Sequence, residues 1–377
     1  MTHGAGAEDR AERGRKAMLS PELRARDCPE LGATWPRGEF RSILEIACAP
    51  DAVARRAWRD WSSALGDEPP DLWCLRLLPL VARRLEHLGV AARERARLTG
   101  VYRHTWCHNQ LRVRGALAAI DSLARASVPA LALKGLALLT TAYDGDFGLR
   151  GMLDVDVLVR KEDLPRAAQT LKQQGFRSVH PPTLDELCCG VTSFGENGCA
   201  LHRGELELDL HWHFSRIDPS TWLDDLVWSH AQRVKAGRVE LTVPSATELL
   251  LLVALHGAMW TPAGPVLWPA DAWRLVGSGA VDWERLVSTT RMRLLTLPVF
   301  DALRFAASAL HAPVPADVLN ELGASPVSAA ERSEYRALTL PRHTASFPDR
   351  VRAARLSHLR SQCRGALGED SSSRGPP

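Results

Sequence analysis

The chain has 377 residues, 45% of them hydrophobic and 24% charged, which is ordinary for a globular protein and enough for a sizeable core. A formal charge of +3 is too small to argue for nucleic acid, and no apolar run approaches the roughly 20 residues of a membrane span. The eight cysteines form no regular framework, and residues 1–16 lack the apolar segment of a secretory signal, so free thiols in a reducing cytoplasm are expected.

Residues 1–20, polar and rich in Gly, Ala and Arg, are predicted to be a disordered tail. Residues 21–126 read as a helical region, with apolar residues at three- and four-residue spacing over 42–48 and 71–88 and a loop at Glu68-Pro69-Pro70. The apolar run 128–133 suits a buried strand or a helix equally well. A helix over 136–143 and a turn at Asp144-Gly145-Asp146 follow. Residues 153–159 form the clearest strand. The next helix contains Leu164, Ala168 and Leu171, with Asp163 near its start and Gly175 just past its end. Residues 205–214 alternate strongly and pair as a hairpin with 199–202, and 239–243 is a further strand candidate. Beyond Pro244 the chain is helical again. Ser245 and Glu248 suggest a capping box, and helices are expected over 268–276, 283–292 and 297–310. From 331 to 377 the composition predicts a polar, partly disordered tail. The fold class is α+β: a small mixed sheet core over 127–243 between an N-terminal helical region, 21–126, and a C-terminal one, 244–330.

Two strands carry the chemistry. In Asp154-Val155-Asp156-Val157 alternate side chains share a face, so both aspartates point one way and the valines the other. With the carboxylates about 6 Å apart, repulsion is roughly 3 kcal/mol, or about two pKa units. A divalent cation reverses the sign of that term, and Mg²⁺ suits a site of one or two carboxylates plus substrate phosphates. In the second strand Glu205, Glu207, Asp209, His211 and His213 share one face and Leu206, Leu208, Leu210, Trp212 and Phe214 the other. If the strands are neighbours, Asp209 completes a three-carboxylate cluster and can help deprotonate an acceptor hydroxyl. Lys134-Gly135, at a strand-to-helix turn, offers a point charge and exposed amides to phosphate. Cys199-x-x-His202 and His211-x-His213 lack the paired spacing of a zinc site.

In order, Leu133-Lys134-Gly135, then Arg150 through Asp154-Val155-Asp156, then Leu208-Asp209-Leu210-His211-Trp212, resemble the uncharacterised bacterial nucleotidyltransferase family of the DNA polymerase β-like superfamily. Leu255-His256-Gly257 and the segment around Asp271 resemble its helical C-terminal part. The resemblance implies an NTP donor and Mg²⁺ (or Mn²⁺) held by Asp154, Asp156 and Asp209. It also implies a role for Arg150, as a phosphate contact or in an ion pair. The superfamily's usual Gly-Ser pair is replaced here by Lys134-Gly135-Leu136. His211, His256 and Asp271 are candidates for supporting positions around the site. Trp260, Trp268 and Trp273 suit either a nucleobase or a helical core.

The expected function is transfer of a nucleoside monophosphate from an NTP to a hydroxyl on a small molecule or a protein. The alternative is a non-catalytic nucleotide-binding or scaffold protein retaining the fold. The modest charge and the lack of a basic-aromatic stripe count against a nucleic-acid substrate.

Overall fold

The computed structural model describes residues 15–16, 18–64, 74–90, 95–192, 196–236, 239–259, 267–341 and 346–362. Most of the predicted N-terminal tail, the loop at 68–70, Trp260 and the chain end from 363 lie outside the described residues. No helix among them is long and apolar enough to cross a membrane.

Helices α1 (Gly38–Cys48), α2 (Asp51–Ala64), α3 (Leu78–His87) and α4 (Arg95–Arg125) form the N-terminal part. The central sheet has strand order β2 (Ala130–Ala132), β3 (Val155–Val159), β6 (Leu206–His211), β5 (Gly198–Arg203) and β4 (Arg177–Ser178). The β3–β6 pair is parallel and the others are antiparallel, which makes the sheet mixed, as expected for this α+β fold. The ambiguous run at 128–133 is thus a short strand, followed by α5 (Lys134–Thr140). The parallel pair needs a long crossover, supplied by α6 (Leu164–Gln173), β4, α7 (Leu184–Cys188) and β5. Alternation buries Val155, Val157, Leu206, Leu208 and Leu210 together. α4 packs against β6, where Gly115 makes room: a Cβ there would lie 2.7 Å from a Leu206 methyl.

The strand at 239–243 is β8 (Val239–Val243), paired with β7 (Gln232–Ala236) in a separate hairpin. After α8 (Thr221–Ser229) and this hairpin come α9 (Ala246–Gly257), α10 (Trp268–Gly277), α11 (Trp283–Met292) and α12 (Thr296–Leu310). Ser245 caps α9 by accepting from the Thr247 amide at 3.3 Å. Glu248 does not close the expected capping box, because it takes the Ser245 hydroxyl and Arg285 Nε instead.

Two expectations are corrected. Residues 21–24 are not helical: β1 (Pro21–Arg24) pairs with β9 (Pro326–Ser328), which follows α13 (Ala316–Ala324). The predicted polar tail from 331 contains most of α14 (Ala329–Thr339) and all of α15 (Phe347–Gln362). Four of its charged residues, Glu331, Glu334, Asp349 and Arg360, are buried rather than solvated. Arg360 donates to Glu334 Oε1 at 2.6 Å and to the carbonyls of Arg293, Ile217 and Leu294. Arg293, itself fully buried, grips Asp218 with both arms of its fork, at 2.7 and 2.9 Å. Paired and fully hydrogen-bonded ions can be buried where single ones cannot.

Glu331 in this bundle caps α14 through Ser328, and burial pushes its carboxyl up to about 7. A raised carboxyl favours the folded state fully below its ordinary value near 4.5, and that contribution is lost as pH rises through 7. Stability should therefore fall by about 1.4 kcal/mol per pH unit between pH 5 and 7 from this group alone. Urea midpoints across that range should show the slope in the native chain and most of it removed in Glu331→Gln; an unchanged slope in the variant would refute the assignment.

Candidate active site

In the parallel β3–β6 pair Asp156 stands opposite Asp209 and Val155 opposite Leu208. The pairing that buries the valines and leucines on one face therefore gathers Asp156, Asp209 and His211 on the other. One ligand atom from each of these three lies within 4.8 Å of those from the other two. Asp156 and His211 are buried and Asp209 is half-buried. Asp154 stands outside that cluster, half-buried in the bend just before β3, where the Asp156 and Lys134 charges both act on it.

Asp156 Oδ1 accepts two hydrogen bonds, from Lys134 Nζ at 2.5 Å and from His211 Nε2 at 2.9 Å. Asn197 Nδ2 donates to His211 Nδ1 at 3.2 Å, which places the imidazole proton on Nε2, toward Asp156. Burial alone would raise the Asp156 carboxyl, but Lys134 and His211 together hold it well below the usual carboxylate range. Asp154 and Asp209 move the other way, raised by burial first and then by the Asp156 charge. The sequence predicts mutual repulsion within the Asp154/Asp156 pair. In the structure Asp156 escapes it, because both cationic and N–H donors reach that carboxylate. One ammonium stands against three carboxylates, so the cluster is short of positive charge.

Lys134 owes its place to β2–β3 pairing: the Leu133 amide donates to the Asp156 carbonyl at 2.9 Å. The next residue turns into α5 with a Lys134 φ of +39°, a left-handed conformation that a non-glycine residue adopts only under constraint. Burial opposes its charge, but Asp156 outweighs this and raises its ammonium. Gly135 does not leave its open side to a phosphate. It is buried, and a Cβ there would lie 2.7 Å from Met152 Cγ and 3.0 Å from Arg150 Nη1.

Arg150 is an ion-pair residue rather than a free phosphate contact. Its Nε and Nη2 donate to Asp271 Oδ1 and Oδ2 at 2.8 and 2.9 Å, and the Tyr143 hydroxyl donates to Asp271 Oδ1 at 2.8 Å. Asp271, on α10, thereby ties the C-terminal helices to the loop that leads into Asp154. His256, on α9, is exposed, and the Lys134, Asp156, Arg150 and Asp271 charges all act on it. Burial and the Lys134 charge push its imidazole down to about 4. Its neighbour Gly257 lets Trp268 close in, since a Cβ would lie 2.7 Å from the indole. Trp268 itself belongs to the core, packed on Phe305.

Three supporting residues escape sequence reasoning. Asn197 orients His211. Gly198 makes room for it, because a Cβ would stand 2.7 Å from His211 Nδ1. Asn109, fully buried on α4, donates to the carbonyls of Phe147 and Arg150 at 2.7 Å each and accepts from the Met152 amide at 3.2 Å, bracing the loop before Asp154. Asn109 leaves a signal in the sequence: it is a polar residue on the apolar stripe of Leu98, Val113, Ala116 and Ile120. Gly198→Ala should fold normally yet tilt the imidazole away from Asp156. Transfer, assayed beside an unaltered circular dichroism spectrum, should fall by about 10–100-fold; activity within twofold of the native chain would show that the ring has no such duty.

A comparison with curated proteins gives no significant match. A family model described as uncharacterised nucleotidyltransferase matches residues 75–311, which include the sheet, its carboxylates, Lys134, Arg150, His256 and Asp271. The match spans more than half of the chain, and the paired acidic strands lie within it: the protein belongs to this nucleotidyltransferase family.

Proposed function

We propose that the protein transfers a nucleoside monophosphate from an NTP to a hydroxyl of a small-molecule or protein acceptor, using Mg²⁺ or Mn²⁺. The observation that carries this reading is the register of β3 and β6, which sets Asp156 beside Asp209. The residues fit a hard divalent cation. Three carboxylates face one lysine ammonium, and two added positive charges bring the group to neutrality. Asp156 and Asp209, with Asp154 at the mouth, would hold the ion, and His211 orients Asp156 through its Nε2–H. When bound, the ion supplies charge stabilisation to the phosphoryl oxygens.

The acceptor oxygen forms a bond to the α-phosphorus while the bond to the pyrophosphate oxygen breaks, and pyrophosphate leaves. Asp209, its carboxyl raised by burial and by Asp156, takes the acceptor proton. Lys134 lends positive charge to the phosphates. Arg150 and Asp271 hold the loop carrying Asp154. His256, its imidazole pushed down to about 4, adds no charge beside Lys134 at pH 7.

The test is incubation of the protein with Mn²⁺ or Mg²⁺, each α-labelled NTP in turn, and a cell extract as acceptor source. Label should appear in one acceptor fraction with stoichiometric pyrophosphate release. Absence of both NTP binding and transfer with either metal would overturn the reading.

A further inference from the structure

A cavity of about 540 Å³ opens between α4, the turn at Cys74–Arg76 and the segment Gly151–Leu153, directly before Asp154. Its described lining contains Arg76, Arg97, His104, His108 and Arg112 and no carboxylate. Four of these come from one helix at positions 97, 104, 108 and 112, a single stripe at helical spacing. Across its 31 residues α4 holds six arginines and one acid, Asp121, although the whole chain is only +3. Surface arginines usually find carboxylates. Here Arg76 and Arg112 spend one donor each on the carbonyls of Gly151 and Leu153, at 3.3 and 3.1 Å, and the buried Arg76 Nε has no partner. Burial, then the Arg150 charge, lower the Arg76 guanidinium against the opposing pull of Asp154 and Asp271. Of the three site carboxylates, Asp154 is the one whose field reaches Arg76.

We infer that this cavity binds a phosphate group carried by the acceptor, placing the acceptor hydroxyl on the Asp154 side of the carboxylates. The inference rests on the nucleotidyl-transfer reading and names the substrate class: a phosphorylated acceptor. The donor's phosphates belong with Lys134, whose ammonium sits on Asp156, whereas the cavity is lined by Gly151–Leu153, directly before Asp154. The arginines and histidines run along α4 beside Arg76, and neighbouring members of that row supply the charged donors that one phosphate takes.

The test is equilibrium dialysis of the full chain with labelled inorganic phosphate in EDTA, which requires no metal and no transfer. Phosphate should bind at one site per chain, and Arg97→Ser/His108→Ser, two exposed changes outside the catalytic machinery, should weaken it about tenfold. Arg125→Ser/Arg233→Ser, removing two distant arginines, should not. Phosphate should still bind when ATP is saturating. Equal losses in both variants, or no binding in a protein that transfers nucleotide, would overturn the inference and leave nucleotidyl transfer standing. Exclusion of phosphate by ATP would assign the cavity to the donor and overturn the acceptor assignment. A 12-nucleotide RNA that outcompetes phosphate at the same residues would make the face a nucleic-acid surface and overturn it equally.

Discussion

Asp156→Asn should abolish nucleotide transfer, by about 10³-fold or more, while the protein stays folded. The size follows from the chemistry: losing roughly 4 kcal/mol of charge stabilisation at the phosphoryl group corresponds to that factor. Asparagine has the shape of aspartate and can still accept from Lys134 and His211, so the local hydrogen bonds survive. The missing part is the charge. Asp156 is the one carboxylate of the three held firmly ionised, whereas burial and its neighbour raise the other two. Removing it also leaves Lys134 with only Asp154 and Asp209 as counter-charges. Electron paramagnetic resonance of added Mn²⁺ should show weakened binding in the variant, and its thermal midpoint should stay near that of the native chain. A variant with more than a tenth of native activity would sink the carboxylate assignment. Normal Mn²⁺ affinity with lost activity would move the metal elsewhere.

The acidic face was legible because the two strands obey a simple rule. Burying one side forces the alternate residues together, and five ionisable groups facing away from Leu206, Leu208 and Leu210 leave little choice of orientation. The parallel register was not in the sequence, since it depends on the crossover through α6, β4, α7 and β5. The partners of Arg150 and His211 were hidden for a similar reason. Asp271 lies 121 residues from Arg150, and Asn197 reaches His211 only because β5 and β6 pair. Short elements left no periodicity to read: β1 and β9 have four and three residues, and in Gln232-Arg233-Val234-Lys235-Ala236 only Ala236 is buried. The polar C-terminal segment misled because composition cannot distinguish a solvated Glu334 or Arg360 from a buried, paired one.

Asp271→Ala should be the most destabilising single change near the site, costing about 3–5 kcal/mol because it strands a buried guanidinium. Arg150 retains about a tenth of its surface exposure, Asp271 less, and Asp271 also accepts from Tyr143. For a chain of this size the loss should lower the thermal midpoint by roughly 5 °C. Transfer should fall as well, because Arg150 closes the loop at 144–153 whose far end presents Asp154, leaving the α4 contacts of Tyr102, Asn109 and Arg112 and those of Arg76 and Arg83 to brace it. The double change Arg150→Met/Asp271→Leu separates the two ways Arg150 can matter. Replacing both members of a buried pair by apolar groups of similar volume is often neutral, so stability should largely return. If Arg150 serves only to hold the loop, transfer should return with it, to within about tenfold of native. A double variant that is stable and still inactive would mean that the guanidinium leaves Asp271 and touches the nucleotide during turnover, and differential scanning fluorimetry beside the labelled-NTP assay distinguishes the two on the same preparation.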